Sequence, residues 1–546
     1  MAGSVEGLVK GSSYLLLSNA ITSGLGALFW IIVAPLIGGE GVGYASSAIS
    51  LSLLVGSLLG LGQNFSVLRL VPVYGSSAFL ASVTVSTALG AAAGFVSYRV
   101  SALLFDGSLY PLASLVAVLS FLGVVSQSSL VGLVALRSER TYMLVVAASQ
   151  ATRLGLGAPL AFLIGVEGVL YAYALSMTVS LVSSSLIVFS RLGLATRKVA
   201  GLALEALKVG VSNYPNILAA GLIIHVAVLS TALVSRDPGV TGGFYIALNL
   251  GLVVSMIPNA VSMASLPRLS LDPSFRVWPL WRASMGLMAP VVALMMAMPG
   301  EVLSVFGEEF AGSSAELFVI LLSSPLAAGV TFRLVELNAR GMYSTVFAMG
   351  ASRLGSMLVL IPLLGGLGGA VGIAAAYTIS LVPSMLLSWN PRMYNASLIV
   401  SLIAVVSTMA GTLAGSLAYQ WAGTALAEAL ARGLAAASLS LLLSLASKLV
   451  TSRELRFIAR TVYGEFLSKP LGIIRGLGLE AIGRGFIIGF MALLVLAAVQ
   501  LSMGEEEVAN KLAEYAYYLL VAGVVVLLVD TIRSPQEEEE TSVPQN

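Results

Sequence analysis

The residues of this chain that could do chemistry are ionisable side chains set inside or at the ends of long apolar runs. Arg153 and Arg353 stand in the middle of two runs, and Arg69 and Arg268 stand near the ends of two others. An ionised side chain in a membrane helix costs at least about 2.5–3.5 kcal/mol on insertion scales, so each needs a partner, a cavity or a snorkelling route. A guanidinium is a planar fork of donors that matches phosphate oxygens, often bidentately. Arg69 and Arg268 therefore read either as phosphate ligands or as snorkelling anchors. Arg153 and Arg353 read either as ligands for phosphate or sugar, or as hydrogen-bonding glue between helices. Arg333 and Glu336 share a helical face and can satisfy each other; otherwise Glu336 is a candidate for ion coupling. His225 is the single histidine, a candidate proton sensor or a satisfied interior group. Asn19 and Asn64, with Gln63, Asn213 and Asn216, suit sugar hydroxyls or helix-to-helix hydrogen bonds. With no cysteine and one histidine, disulfides, iron–sulfur clusters and Cys-ligated zinc are excluded. No metal and no cofactor are expected.

These side chains must be positioned by membrane-spanning helices. The chain has 546 residues, of which 10% are charged and 58% hydrophobic, with a mean hydropathy of +0.97. A soluble globular chain carries roughly 25% charged residues, so this composition cannot cover a water-soluble fold. The runs are long and continuous, unlike the short alternating segments of a membrane β-barrel. Stretches long enough to cross a bilayer, about 20 residues each, lie near 11–37, 44–72, 76–104, 112–136, 141–165 and 169–190. They resume near 211–235, 243–267, 279–306, 317–339, 344–364 and 369–389, then near 397–420 and 423–447, and finally near 486–503 and 513–532. The first run is too long for a signal-peptide core and reads as a retained helix.

Charge placement orients the series. With a cytoplasmic N-terminus, Lys and Arg fall on cytoplasmic ends, except Arg99, Arg236 and Lys511 outside and Arg153, Arg353 and Arg432 within the membrane. The opposite loops hold acids, among them Glu40, Asp106, Glu167, Asp237, Glu308 and Glu309. This satisfies the positive-inside rule.

A repeat divides the chain. Arg153-Leu154-Gly155 returns as Arg353-Leu354-Gly355, 200 residues on, and glycines follow at Gly165 and Gly365 and at Gly168 and Gly368. Gly43 and Gly243 open the second run of each half, and Lys10 and Lys208 precede the first. Six helices per copy is an even number, so the copies share one orientation about an axis along the membrane normal, with a cleft between them. The expected fold is an all-α integral membrane protein of about sixteen transmembrane helices. Its expected parts are an N-terminal six-helix lobe (1–192), a cytoplasmic linker (193–210), a C-terminal six-helix lobe (211–390) and two further helices (391–447). A basic amphipathic surface segment (448–485) follows, then two extra transmembrane helices (486–533) and a disordered acidic tail (534–546).

Local text adds a resemblance. Lys10-Gly11-Ser12 opens the first helix, Glu40-Gly41-Val42-Gly43-Tyr44 joins helices one and two, and Ile257-Pro258-Asn259-Ala260 with Pro267 closes helix eight. Over about residues 5–447 the chain resembles the polysaccharide-exporter branch of the multidrug/oligosaccharidyl-lipid/polysaccharide exporter superfamily. The resemblance implies a V-shaped carrier that flips polyprenyl-(pyro)phosphate-linked oligosaccharide or polysaccharide precursors across the cytoplasmic membrane by alternating access. It implies no enzyme activity, and no acidic pair on a cytoplasmic loop is present to hold a metal-bound sugar nucleotide. Expected partners are the lipid-linked glycan and membrane lipids, with glycan-assembly enzymes as candidates, no nucleic acid, and a functional monomer. The alternative is a multidrug/cation antiporter of the same superfamily. Those antiporters typically use an acid inside the first lobe, whereas here no Asp or Glu lies inside the first six runs. The expected substrate ligands are Arg69, Arg268, Arg153, Arg353, Asn19 and Asn64, with Glu336 and His225 as coupling candidates.

Overall fold

The computed structural model describes residues 2–193, 199–220, 222–271, 278–422 and 424–451. The expected surface segment, the two last helices and the acidic tail lie, save for 448–451, outside the described residues. Among these residues there is no strand, and nine helices are long and apolar enough to cross a membrane. The chain is a multi-pass, all-α membrane protein. The N-terminal lobe comprises α1 (Ala2–Leu59), α2 (Gln63–Tyr74), α3 (Ser76–Val100), α4 (Ala113–Ala135) and α5 (Glu139–Leu192). Helix α6 (Val199–Ala220) follows. The C-terminal lobe comprises α7 (Leu222–Ser235), α8 (Pro238–Leu271), α9 (Trp278–Ala297), α10 (Pro299–Ser304), α11 (Ser314–Ala339), α12 (Tyr343–Leu360), α13 (Gly366–Ile379) and α14 (Leu381–Leu387). Helices α15 (Pro391–Ala422) and α16 (Ala425–Ala446) complete the bundle.

Three stretches are twice the length of one crossing. Leu17–Leu59 has 43 residues, Glu139–Leu192 has 54 and Ser344–Leu387 has 44. A straight helix of that size would span roughly 65 Å or more, about twice the hydrocarbon core. Each therefore turns back on itself. The first turns at Gly38 (φ 68, ψ 175), the second at Ile164–Gly165 (Gly165 φ 60, ψ −133) and the third at Gly369 (φ 56, ψ −134).

Those angles correct the register of the repeat. Gly165 and Gly369 share one backbone conformation, while Gly365 is an ordinary right-handed helical residue. Likewise a Cβ on Gly168 would fall on the Leu160 carbonyl and one on Gly372 on the Leu364 carbonyl. The offset thus drifts from 200 at Arg153/Arg353 to 204 at these glycines. The expected pairs Gly165/Gly365 and Gly168/Gly368 are replaced by Gly165/Gly369 and Gly168/Gly372. The extra residues are absorbed beside Pro362, where Ile361–Gly365 forms a π-helical turn; proline removes a helical donor and widens the winding. Positive φ with ψ near −130° is open to glycine and strained for other residues by about 1–3 kcal/mol. Gly165→Ala and Gly369→Ala are each expected to lower the melting temperature of the detergent-purified protein. Equal melting would remove the claim that these turns need glycine.

Further differences concern boundaries. The expected single run 44–72 is interrupted at Leu61 (φ 44) and Gly62 (φ 72), which separate α1 from α2. The run 279–306 breaks at Pro299. Residues 199–210, expected as linker, are the first half of α6. Leu202 and Ala206 of α6 are buried with Val67, Leu70 and Phe79 of α2 and α3, so this stretch is docked on the N-terminal lobe.

The lobes meet at the end of the bundle that carries the acidic loops. A Cβ on Gly43 would land on the Pro238 carbonyl, and one on Gly242 on the Gly39 carbonyl. Backbone therefore touches backbone across a seam of glycines. Beside it Arg236 reaches Asp106 at 3.4 Å, both largely exposed.

Candidate functional site

Below the glycine seam, α1 and α8 leave a chamber of about 240 Å³ between the lobes. Thr22, Ser23, Gly26, Ala27 and Trp30 line it from one face of α1, and Tyr245, Asn249, Val253 and Met256 from one face of α8. Arg153 and Tyr173 enter from α5, and Phe306 closes it beyond α10. Among the described residues Arg153 is the single charged residue lining it.

Several features place Arg153 there. Gly26 leaves room opposite the guanidinium: a Cβ on Gly26 would stand 3.2 Å from Nη2. Gly157, one turn along α5 from Arg153, accepts the Phe29 ring where any side chain would collide with it. The guanidinium carbon then lies 5.3 Å from the Phe29 ring centre and 4.8 Å from that of Tyr173. Phe29 and Tyr173 pack edge to face at 5.6 Å, and Trp30 meets Tyr245 across the lobes at 5.2 Å. The Asn249 amide donates to the Tyr245 carbonyl at 2.8 Å. Among the described residues no acid forms an ion pair with Arg153, and its Nε has no acceptor. A desolvated cation–π contact contributes up to about 2 kcal/mol against an insertion cost of about 2.5–3.5 kcal/mol. Two rings therefore hold the arginine and leave its donor edge available to an anion.

Arg353 repeats this arrangement in part. Its guanidinium lies 5.1 Å from the centre of Tyr377, the repeat mate of Tyr173. It lines a different cavity, about 110 Å³, inside the C-terminal lobe. The two arginines are not brought together. The remaining expected residues are dispersed. Arg69 is exposed on α2 and Asn19 is exposed on α1; neither lines the chamber. Arg268 lies in the last turn of α8, and its side chain is outside the description. Asn64 lines a third cavity of about 260 Å³ among α1, α2 and α4, with Gln63, Gln127, Ser52 and Ser128 and, among the described residues, no charge. There the Ser128 hydroxyl donates to Asn64 Oδ1 at 3.5 Å. Glu336 accepts from Arg333 at 2.6 Å and from Arg340 at 2.5 Å, so both its oxygens are engaged. His225 lies on α7 with Nδ1 buried and unpartnered. Arg432, expected within the membrane, pairs with Glu428 and with Glu301 at 3.5 Å. Among the described residues no cluster of histidine and carboxylates could hold a metal ion.

Trp30, Tyr173, Tyr245 and Phe29 were not expected from the sequence. The available signal was the recurrence of a tyrosine beyond each repeated arginine, Tyr173 and Tyr377, hidden by the shift in offset.

No family model matches the chain, and no curated protein matches it. Solved structures do. The inward closed conformation of the lipid II flippase MurJ aligns with a TM-score of 0.62 at 15% identity, covering 79% of this chain and 97% of that one. The MATE multidrug transporter DinF-BH aligns with a TM-score of 0.52 at 16% identity, covering 70% and 94%. An inward-facing multidrug resistance MATE family transporter of the MOP superfamily aligns with a TM-score of 0.51 at 15% identity, covering 71% and 95%. With its twin lobes, glycine turns and interlobe chamber, the chain thus shares the fold of these flippase and MATE transporter structures.

Proposed function

We propose that the chain is a flippase that carries a polyprenyl-(pyro)phosphate-linked oligosaccharide or polysaccharide precursor across the cytoplasmic membrane by alternating access. The observation that carries this reading is the interlobe chamber, in which Arg153 is the only charge among the described residues and is framed by aromatic rings. A phosphate oxygen is the partner its free donors lack. The apolar faces of sugar rings suit Trp30, Tyr173 and Tyr245, and the Asn249 amide suits their hydroxyls. The lipid tail stays in the bilayer while the headgroup passes. The acidic end faces outward by the positive-inside rule, so the glycine seam closes the outer mouth. The likeness to a lipid II flippase supports a lipid-linked substrate. The chain acts as a monomer on its lipid-linked glycan, beside the enzymes that assemble it, and performs no covalent chemistry itself.

The aromatic lining favours one other reading, an antiporter for planar organic cations, because such rings attract cations; Arg153 opposes it by like-charge repulsion. The test is reconstitution in vesicles. Exchange of a fluorescent lipid-linked oligosaccharide between leaflets above the protein-free rate is expected. Export of a cationic dye driven by an ion gradient, with no lipid exchange, would reverse the assignment. Arg69→Ala with Arg268→Ala is expected to weaken exchange by about tenfold or less, as loss of headgroup-level phosphate contacts. An unchanged rate would leave both as snorkelling anchors.

A further inference from the structure

We propose that the cavity at Arg353, inside the C-terminal lobe, binds a small inorganic anion of the size of chloride. The cavity lies among α7, α8, α11, α12 and α13 and holds about 110 Å³, the space of three or four waters at about 30 Å³ each. A halide with a water or two fits that space. Arg353 is half-buried, and among the described residues no acidic residue lines the cavity. Among the described residues no ion pair reaches it, and its Nε is buried without an acceptor. A buried cation without a counter-charge is costly, and a bound anion supplies that charge.

The comparison with Arg153 sharpens the assignment. Arg153 is covered by two rings, whereas Arg353 has the Tyr377 ring alone. The C-terminal copy therefore leaves more of its guanidinium uncompensated, in a smaller and separate space. The other polar groups suit an anion. Ser255 and Thr331 rest their hydroxyls on carbonyls of their own helices at 3.0 Å, and Ser324 does so at 2.9 Å. Each O–H can rotate towards a ligand with little cost to the helix. Asn259 also lines the cavity, and its carbonyl oxygen has no donor. Turned over, the amide presents its NH₂. The inference does not depend on the transported substrate, because the anion binds lipid-free protein.

The test uses the full-length protein purified in detergent, melted in sodium chloride and in sodium gluconate at equal ionic strength. Chloride is expected to raise the melting temperature by about 2 °C or more. The increment should vanish in Arg353→Gln and persist in Arg153→Gln. Persistence in Arg353→Gln, or loss in Arg153→Gln alone, would overturn the assignment, the latter by placing the ion in the interlobe chamber. Inorganic phosphate replaces chloride in a third arm. An Arg353-dependent increment from phosphate and not chloride would give the cavity to a phosphoryl group instead. Because Arg353→Gln can misfold, crystals of the unaltered protein soaked in bromide supply an independent readout. An anomalous peak beside the Arg353 guanidinium is expected, and its absence from well-occupied crystals would overturn the proposal.

Discussion

Gly43→Leu is expected to hold the two lobes apart at their acidic end and to stop transport. The reason is geometric. At the seam the Gly43 Cα faces the Pro238 carbonyl, and the Gly242 Cα faces the Gly39 carbonyl, with no room for a Cβ at either place. Neither partner is the end of a flexible side chain, so relief requires one lobe to move. Overpacking of this kind costs about 1–3 kcal/mol, which lowers the closed population by roughly five- to a hundredfold. The Asp106–Arg236 pair cannot offset that cost. It is exposed on both sides, and exposed pairs contribute about 0–1 kcal/mol, so Asp106→Asn is expected to change closure only severalfold at most. The chain has no cysteine, so a pair introduced as Asp106→Cys and Arg236→Cys reports closure directly through a short bifunctional thiol reagent. Cross-linking and leaflet exchange should both fall about fivefold or more when Gly43→Leu is added. Undiminished cross-linking would show that the seam yields without separating the lobes, and the account of closure would be lost.

The outline of this fold was legible because bilayer length and charge asymmetry act on whole segments. A run such as 76–104 needs only to be apolar and long enough, and α3 occupies it. The Arg-Leu-Gly repeat was legible because both copies sit before the inserted residues. What failed to show is side-chain direction. In water a helix betrays its buried face by contrast with its polar one, but in a bilayer the lipid face and the packed face are both apolar. Nothing therefore distinguished Trp30, which meets the opposite lobe, from Leu28, which is exposed. The same blindness left Arg153 and Arg353 indistinguishable, although one lines the interlobe chamber and the other its own lobe. Pairs close in sequence escaped this limit. Arg333 and Glu336 are joined by helical geometry alone, and their ion pair is present. The break at Leu61–Gly62 and the drift at Pro362 were hidden because glycine and proline are common in membrane helices, so their presence does not single out the places where a helix stops.

Arg153→Gln is expected to reduce lipid-linked oligosaccharide exchange by about ten- to a hundredfold, since a hydrogen bond to a charged group contributes about 1.5–3 kcal/mol. The substitution removes the only charge that lines the chamber among the described residues and leaves its volume nearly unchanged. Stability should move the other way or not at all. Breaking an internal ion pair strands a buried charge, but Arg153 has no acidic partner among the described residues, so nothing is stranded when it goes. What is lost is its contact with the Phe29 and Tyr173 rings, at most about 2 kcal/mol each when desolvated, set against the relief of inserting a charge. A melting temperature near that of the unaltered protein, together with lost exchange, would separate a binding role from a structural one. Arg153→Lys refines the distinction. It keeps the charge but loses the planar fork and the ring stacking, so it should fall between the two if phosphate is gripped bidentately. Recovery to the full rate would mean that the chamber asks only for positive potential. Cationic dye is the counter-probe: with the like charge removed, its entry should improve in Arg153→Gln. If instead the variant flips lipid-linked sugar at the normal rate and melts far below the unaltered protein, Arg153 is a structural strut between α1 and α5, and the anionic substrate loses its strongest support.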